Sequence, residues 1–178
     1  MKKVGERVTI RDFVLDDAEA AAAIIGDDRV TNWLSFDSRP AAAATAMMER
    51  AIEMASLDPR TEYYLGITPI ESDRVVGFVR LELTGVKAAK LGFAINADYW
   101  GHGYAPEAAA LIVAFGFDEL GLHRISAAVG PENERSLRLV ERLGFVHEGT
   151  IRDHVFTNGA WRASHLYSIL ESEHQAAS

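Results

Sequence analysis

Residues 99–109 read Tyr99-Trp100-Gly101-His102-Gly103-Tyr104-Ala105-Pro106-Glu107-Ala108-Ala109, a glycine-rich turn that runs into an apolar helix. Gly101 and Gly103 flank His102 without Cβ atoms, so a ligand can come close to the main chain there. Pro106 presets φ for a first helical turn, whose N–H groups have no intrahelical partner in any case. Free donors and the positive end of a helix dipole together suit a phosphate. A Gly-x-Gly pair before a helix also serves as a tight strand-to-helix connection, and the turn alone leaves both uses open.

Upstream of the turn the chain reads as strands. Tyr63 to Ile67, Val75 to Leu83 and Ala88 to Ile95 are β-rich and are separated by Glu71-Ser72-Asp73 and Thr84-Gly85, which predicts an antiparallel meander. Before them Arg7 to Phe13 alternates as a strand, and Asp16 with Glu19 forms a capping-box-like start for an alanine-rich helix to about Ile25. Ser38 with Pro40 opens a second helix to about Ala55, and Asp58-Pro59 breaks the chain direction after it. Downstream, Pro106 to Leu120 is apolar nearly all round and ends at Gly121, which predicts a helix buried against the sheet. Arg124 to Val129 is a strand, and a helix from about Glu134 to Leu143 ends on Gly144. Phe145 to Arg152 and Trp161 to Leu170 close as a hairpin across Asn158-Gly159. The order is β-α-α-β-β-β-α-β-α-β-β, that of an α/β chain.

A chain of 178 residues, 48% hydrophobic and 25% charged, has the size and composition of one folded domain, expected over residues 5–171 with 172–178 as a disordered tail. Met1-Lys2-Lys3 leads toward Gly5-Glu6-Arg7 rather than an apolar run, and no stretch approaches membrane-spanning length, so the expected location is the cytoplasm, with no membrane partner. The chain has no cysteine, which excludes a disulfide frame, a thiolate metal site and a cysteine nucleophile. A net charge of −8 argues against nucleic acid as a partner.

A second block lies beyond the turn: Pro131-x-Asn133-x-x-Ser136, then Leu143-Gly144-Phe145. With it, nearly the whole chain resembles the Gcn5-related N-acetyltransferase (GNAT) superfamily, in the branch acting on ribosomal-protein N-termini and related small amines. The superfamily turn is Arg/Gln-x-x-Gly-x-Gly/Ala, and Trp100 to Ala105 fits it with Trp100 at the Arg/Gln position. The resemblance implies a mixed, mostly antiparallel central sheet flanked by helices, acetyl-CoA as cosubstrate, no metal, and direct transfer to a primary amine. It implies that backbone N–H groups of Gly101, His102, Gly103, Tyr104 and Ala105 hold the pyrophosphate; the His102 imidazole reads as a base or, better given its place on a cofactor loop, as an exposed and incidental ring. Phe93, Ala94 and Ile95 match the strand end that in the family bonds the pantetheine arm and polarises the thioester carbonyl. Asn133 stands where a helix N-cap belongs, and its family role, a contact to the pantetheine region, needs the same placement. In the wider superfamily a tyrosine four residues after Ser136 protonates the departing thiolate. That position is Val140 here, and the resemblance implies Ser136, as the matching serine of this branch, to hydrogen-bond the sulfur, against the plainer reading of an exposed serine on the first helical turn.

The general base is not legible. Relatives often carry a glutamate just before the Gly-aromatic pair, but Lys90 precedes Leu91-Gly92-Phe93. Glu82 is the best substitute, on the same strand face as Val76, Phe78 and Arg80 by alternation, against the plainer reading of a solvated strand end paired with Arg80. Ala163, where relatives often place an acid, leaves the acceptor open: a ribosomal-protein N-terminus, or a polyamine, antibiotic or metabolite amine. The −8 balance suits a cationic acceptor. A catalytically idle CoA-binding module is the alternative from another class, and a homodimer stays open. Trp33, Phe36, Tyr63 and Tyr64 come from acceptor-cleft segments of relatives, with core packing as the default for each. The histidines lack metal-ligand spacing, although His147, His154 and His165 fall on the last two strands.

Overall fold

Alternation of apolar residues builds a sheet with both faces covered. In the computed structural model, which describes residues 1–177, eight strands run in the spatial order β1-β2-β3-β4-β5-β6-β8-β7. They are β1 (Lys2–Val4), β2 (Val8–Asp12), β3 (Glu62–Pro69), β4 (Gly77–Leu83), β5 (Ala88–Ile95), β6 (Arg124–Val129), β7 (Val146–Thr157) and β8 (Ala160–Leu170). The helices are α1 (Ala18–Ile25), α2 (Asp28–Thr31), α3 (Ala41–Ala55), α4 (Tyr104–Asp118), α5 (Glu134–Arg142) and α6 (Glu171–Ala177). All neighbours pair antiparallel except β5 and β6, so the mixed, mostly antiparallel sheet with flanking helices is present as expected.

Each face of the sheet has its own core. Val79, Leu81, Leu65, Ile67 and Ile125 pack with Ile112 and Val113 of α4, while Phe78, Phe13 and Ala94 on the other face pack with Ile24, Ile25 and Met48 of α1 and α3. Burying an aliphatic side chain of this size stabilises by roughly 1.5–3 kcal/mol, which is why a helix apolar nearly all round, such as α4, is held against the sheet. Tyr63 and Tyr64, adjacent on β3, divide between the faces: Tyr63 packs edge-on to Phe115, Tyr64 against Phe13 and Phe78. Val76 precedes β4 and joins the α4-side core, so the expected face containing Glu82 keeps Phe78 and Arg80 but not Val76.

Several boundaries differ from the sequence reading. The sheet starts at Lys2, before the expected limit at residue 5, because Lys2–Val4 pairs with Arg11, Ile10 and Thr9. Asp16 does not cap α1; the Asp17 carboxylate accepts from the Val14 N–H at 2.9 Å and pairs with Arg11 at 2.8 Å. Ser38 does not cap α3, which starts after Pro40; its hydroxyl bonds Thr31 and Asp28 instead. Residues 172–178, expected as a disordered tail, are helical through Ala177, and 178 lies outside the described residues. Glu171 and Glu173 supply acidic groups in the first turn, the Leu170 N–H donates to Glu173 at 2.8 Å, and His174 stacks on Phe117.

The site is set by a gap in the sheet. β5 and β6 pair only from Ala88 with Arg124 to Leu91 with Ala127, although β5 continues to Ile95 and β6 to Val129. Beyond Leu91 the two strands carry no mutual pairing, so the edge of Gly92 to Ile95 facing β6 opens into a cleft.

Candidate active site

The turn between β5 and α4 is built by short-range bonds. The Asn96 side chain accepts from the Asp98 N–H at 3.0 Å, and the Tyr99 N–H reaches the Asn96 carbonyl at 2.9 Å. Gly101 and Gly103 then take φ of +85° and +78°, the left-handed region, with Gly103 as the N-cap of α4. The first bond of the helix runs from the Glu107 N–H to the Gly103 carbonyl, so the N–H groups of Gly101 to Ala105 donate to no protein atom among the described residues. Glu107 also accepts the Arg7 N–H at 2.8 Å, which ties the start of α4 to the start of β2. The Arg7 guanidinium consequently lies beside Gly103, 3.6 Å from where a Cβ would sit. No motif singled out Arg7; only the packing of α4 on β2 brings it there.

The resulting cleft has a volume of about 1680 Å³, more than the roughly 300–1000 Å³ of an ordinary small-ligand pocket, and suits a long ligand. Phe93, Ala94, Ile95, Gly101, Gly103, Tyr104, Ala105, Asn133, Ser136 and Glu82 all line it. His102 does not: its exposed ring folds back with Nδ1 at 3.1 Å from the Tyr99 and Trp100 carbonyls and stacks on Tyr104. Trp100 uses its indole Nε1 to donate to the Ile95 carbonyl at 2.9 Å, while the Arg135 guanidinium lies 4.8 Å over its ring.

Across the gap, Asn133 caps α5, its side chain accepting from the Ser136 N–H at 3.2 Å. That bond holds Ser136 on the first turn, half-buried, with a hydroxyl that has no hydrogen-bond partner among the described residues. Val140, four residues on, is fully buried in the core and presents nothing to the cleft. Arg135, Arg138 and Arg142 of α5 also line the cleft.

Glu82 pairs with Arg80 at 3.2 Å, and Arg80 is also bonded to Glu62, so the Glu82 carboxylate belongs to a compensated chain of charges. Lys90 stands directly opposite Glu82 on β5 and lines the same wall. Trp33 lines the cleft with 45% of its surface exposed, whereas Phe36 stacks under Arg39 and Tyr64 packs half-buried against Phe13 and Phe78, where desolvation pushes its phenol pKa up. Among the charged lining residues only Glu82, Glu132 and Glu134 are acidic, against seven lysines and arginines. The charge of the cleft is thus opposite to the −8 of the chain, and whole-chain charge is no guide to the acceptor. Among the described residues no group of three or more metal-ligating side chains occurs, and no helix is long and apolar enough to cross a membrane. His147 and His165 meet edge to face at 5.0 Å, while His154 bonds Ser164 apart from them.

Comparison with known proteins points the same way. Residues 7–146 match the family described as "Acetyltransferase (GNAT) domain". An uncharacterized N-acetyltransferase, p20, of Bacillus licheniformis is 29% identical over 95% of this chain and 96% of its own length. YdaF of Bacillus subtilis (strain 168), whose name provisionally makes it a ribosomal N-acetyltransferase, is 31% identical over 96% of this chain and 95% of its own. A solved GNAT-family acetyltransferase from Bacillus anthracis superimposes with a TM-score of 0.85 at 26% identity, covering 97% of this chain and all of that one. The family match over most of the chain, on a fold whose glycine turn faces a split sheet, makes this protein an acetyltransferase of the GNAT family.

Proposed function

We propose that the protein binds acetyl-CoA across the β5–β6 gap and transfers the acetyl group directly to a primary amine, with a protein N-terminus as the preferred acceptor. The observation that carries this reading is the combination of a left-handed glycine turn with free N–H groups and a strand edge left unpaired beside it. The fit to CoA is chemical: Gly101 to Ala105 offer convergent backbone donors for a pyrophosphate, and Arg7, Arg135, Arg138 and Arg142 offer cations for phosphate charge. Ala94 is small enough for a narrow arm to run along the strand, and Asn133 fixes the first turn of α5 beside it.

Acetyl-CoA supplies an activated thioester carbonyl, and the residues of this chain orient and protect it. Phe93 and Ile95 wall the gap, and Ser136, which lines the same cleft with an unpartnered hydroxyl, is the proposed donor to the sulfur as it takes up charge. Aminolysis needs a neutral amine, and an α-amino group near pKa ~8 reaches that state more readily than a lysine near ~10.4. That difference, with the name of YdaF, favours an N-terminus.

Free-thiol release from acetyl-CoA, measured across a panel of N-terminal peptides, polyamines and small amines, tests the reading. Acceptor-dependent release, greatest with a peptide N-terminus, is the expected result. Release greatest with a small amine overturns the acceptor, and CoA binding without release by any amine leaves an idle CoA-binding module.

A further inference from the structure

Strand β7 changes register twice against β8, between His147 and Gly149 and again, beside the cleft, between Ile151 and Val155. Ile151 pairs with Ser164 and Val155 with Arg162, so Arg152, Asp153 and His154 stand opposite Ala163 alone. A bulge of this kind bends the strand and redirects a side chain. Asp153 takes φ of +46°, the left-handed region, which Asp and Asn enter more readily than other side chains and which turns the chain sharply at the bulge. All three bulge residues are exposed, but of them His154 alone lines the cleft.

His154 is also oriented. Its Nδ1 lies 3.0 Å from the hydroxyl of Ser164, a residue only 5% exposed on β8. With Nδ1–H donating to Ser164, the lone pair on Nε2 is left free on the other side of the ring. The charged groups lining the cleft on the strands are Arg162 on β8, Arg80 and Glu82 on β4, Lys90 on β5 and Arg124 on β6. Glu82 is the one carboxylate among them, and it is bonded to Arg80. Glu134, on α5, is bonded to Arg138.

We propose that His154, aimed into the cleft by the β7 bulge and held by Ser164, is the general base that takes the proton from the acceptor amine. The proposal rests on the transferase reading above. As the amine nitrogen bonds to the acetyl carbonyl carbon, His154 Nε2 accepts its proton. The carbon–sulfur bond then breaks, and the sulfur leaves as thiolate beside Ser136. The proton held by His154 passes through solvent to the thiolate, giving the acetylated amine and free CoA thiol with the imidazole neutral again. Ser164 is a positioning residue in this scheme.

The test uses the full chain, an amine that the wild type acetylates, and the variants His154→Ala and His154→Gln checked for folding by circular dichroism. Removal of a general base lowers kcat by roughly 100- to 10,000-fold. That loss is expected in both variants, with the calorimetric Kd for acetyl-CoA and the KM for the amine each within about twofold of wild type. Exogenous imidazole is expected to restore part of the rate to His154→Ala and none to His154→Gln, whose side chain fills the space. Ser164→Ala is expected to lower kcat less than either. Unchanged kcat in a folded His154→Ala protein, a loss carried by KM or by CoA affinity, or a loss that imidazole does not relieve overturns the assignment. Absence of thiol release by the wild type with every amine overturns the transferase reading instead, and the base falls with it.

Discussion

The indole Nε1 of Trp100 donates to the main-chain carbonyl of Ile95 at 2.9 Å and so bolts the glycine turn onto the open end of β5. Beyond Leu91 the strand has lost β6 as a neighbour, and this bond occupies an acceptor that pairing with β6 would otherwise reach. The same ring carries Arg135 of α5 on its face at 4.8 Å, so one side chain spans both walls of the cleft.

Trp100→Phe keeps a ring beneath Arg135 but leaves the Ile95 carbonyl without its donor. A net stability loss of about 1 kcal/mol is expected, the usual worth of one such bond, together with weaker acetyl-CoA binding from a loosened turn. Urea unfolding and calorimetric titration read the two effects. Equal stability in Trp100→Phe would mean that the bond does not hold the turn.

Gly103→Val places a β-branched side chain at φ +78°, toward the Arg7 guanidinium and among the free N–H groups of the α4 N-terminus. Loss of most CoA affinity is expected in a protein that still folds. Undiminished CoA binding by folded Gly103→Val would remove the phosphate role of the turn.

Ser136→Ala removes the unpartnered hydroxyl while sparing the Asn133 cap, which engages only the Ser136 backbone N–H. A fall in kcat of roughly 10- to 1000-fold, with the acetyl-CoA Kd unchanged, is the expected signature of a contact made in the transition state. A rate within about twofold of wild type would return Ser136 to an ordinary helix position.

Glu148 on β7 reaches over Ser168 of β8 to Arg124 of β6, with bonds of 2.8 Å from Ser168 and 2.7 Å from Arg124. The Arg124 hydrogen bonds, helped by Ser168, hold its carboxyl down to about 2, below the ordinary glutamate value near ~4.3. A lowered folded-state pKa contributes stability that is present above about 4.3 and is lost as the pH falls toward about 2. Glu148→Gln is therefore expected to be less stable than wild type at neutral pH, with the difference closing across that acid window. Thermal melts of both proteins at pH 7, 4 and 2.5 measure it; a difference independent of pH would show that the charge of Glu148 is not its source.

Elements specified by neighbours in the chain were legible from residues alone. Gly101, Gly103 and Gly144 sit at positive φ where the turn and helix end need them, Asn158-Gly159 closes its hairpin with φ of +52° and +72°, and Asn133 caps α5. Each depends on steric freedom or on a side chain reaching its own backbone within a few residues, so a short window contains the whole cause. The tertiary structure alone decided the rest. The gap at Leu91 is a property of two strands separated by α4, the bond of Arg80 to Glu62 that ties up the Glu82 chain crosses from β4 to β3, and Arg7 reaches the turn only through packing of α4 on β2. His154 read in sequence as one of several scattered histidines, because nothing local marks a bulge whose cause is a mismatch in residue count against β8. Charge divides in the same way: composition determined −8 for the chain, while folding gathered arginines and lysines along one cleft, since electrostatic character at a site depends on proximity in space and not on the sum along the chain.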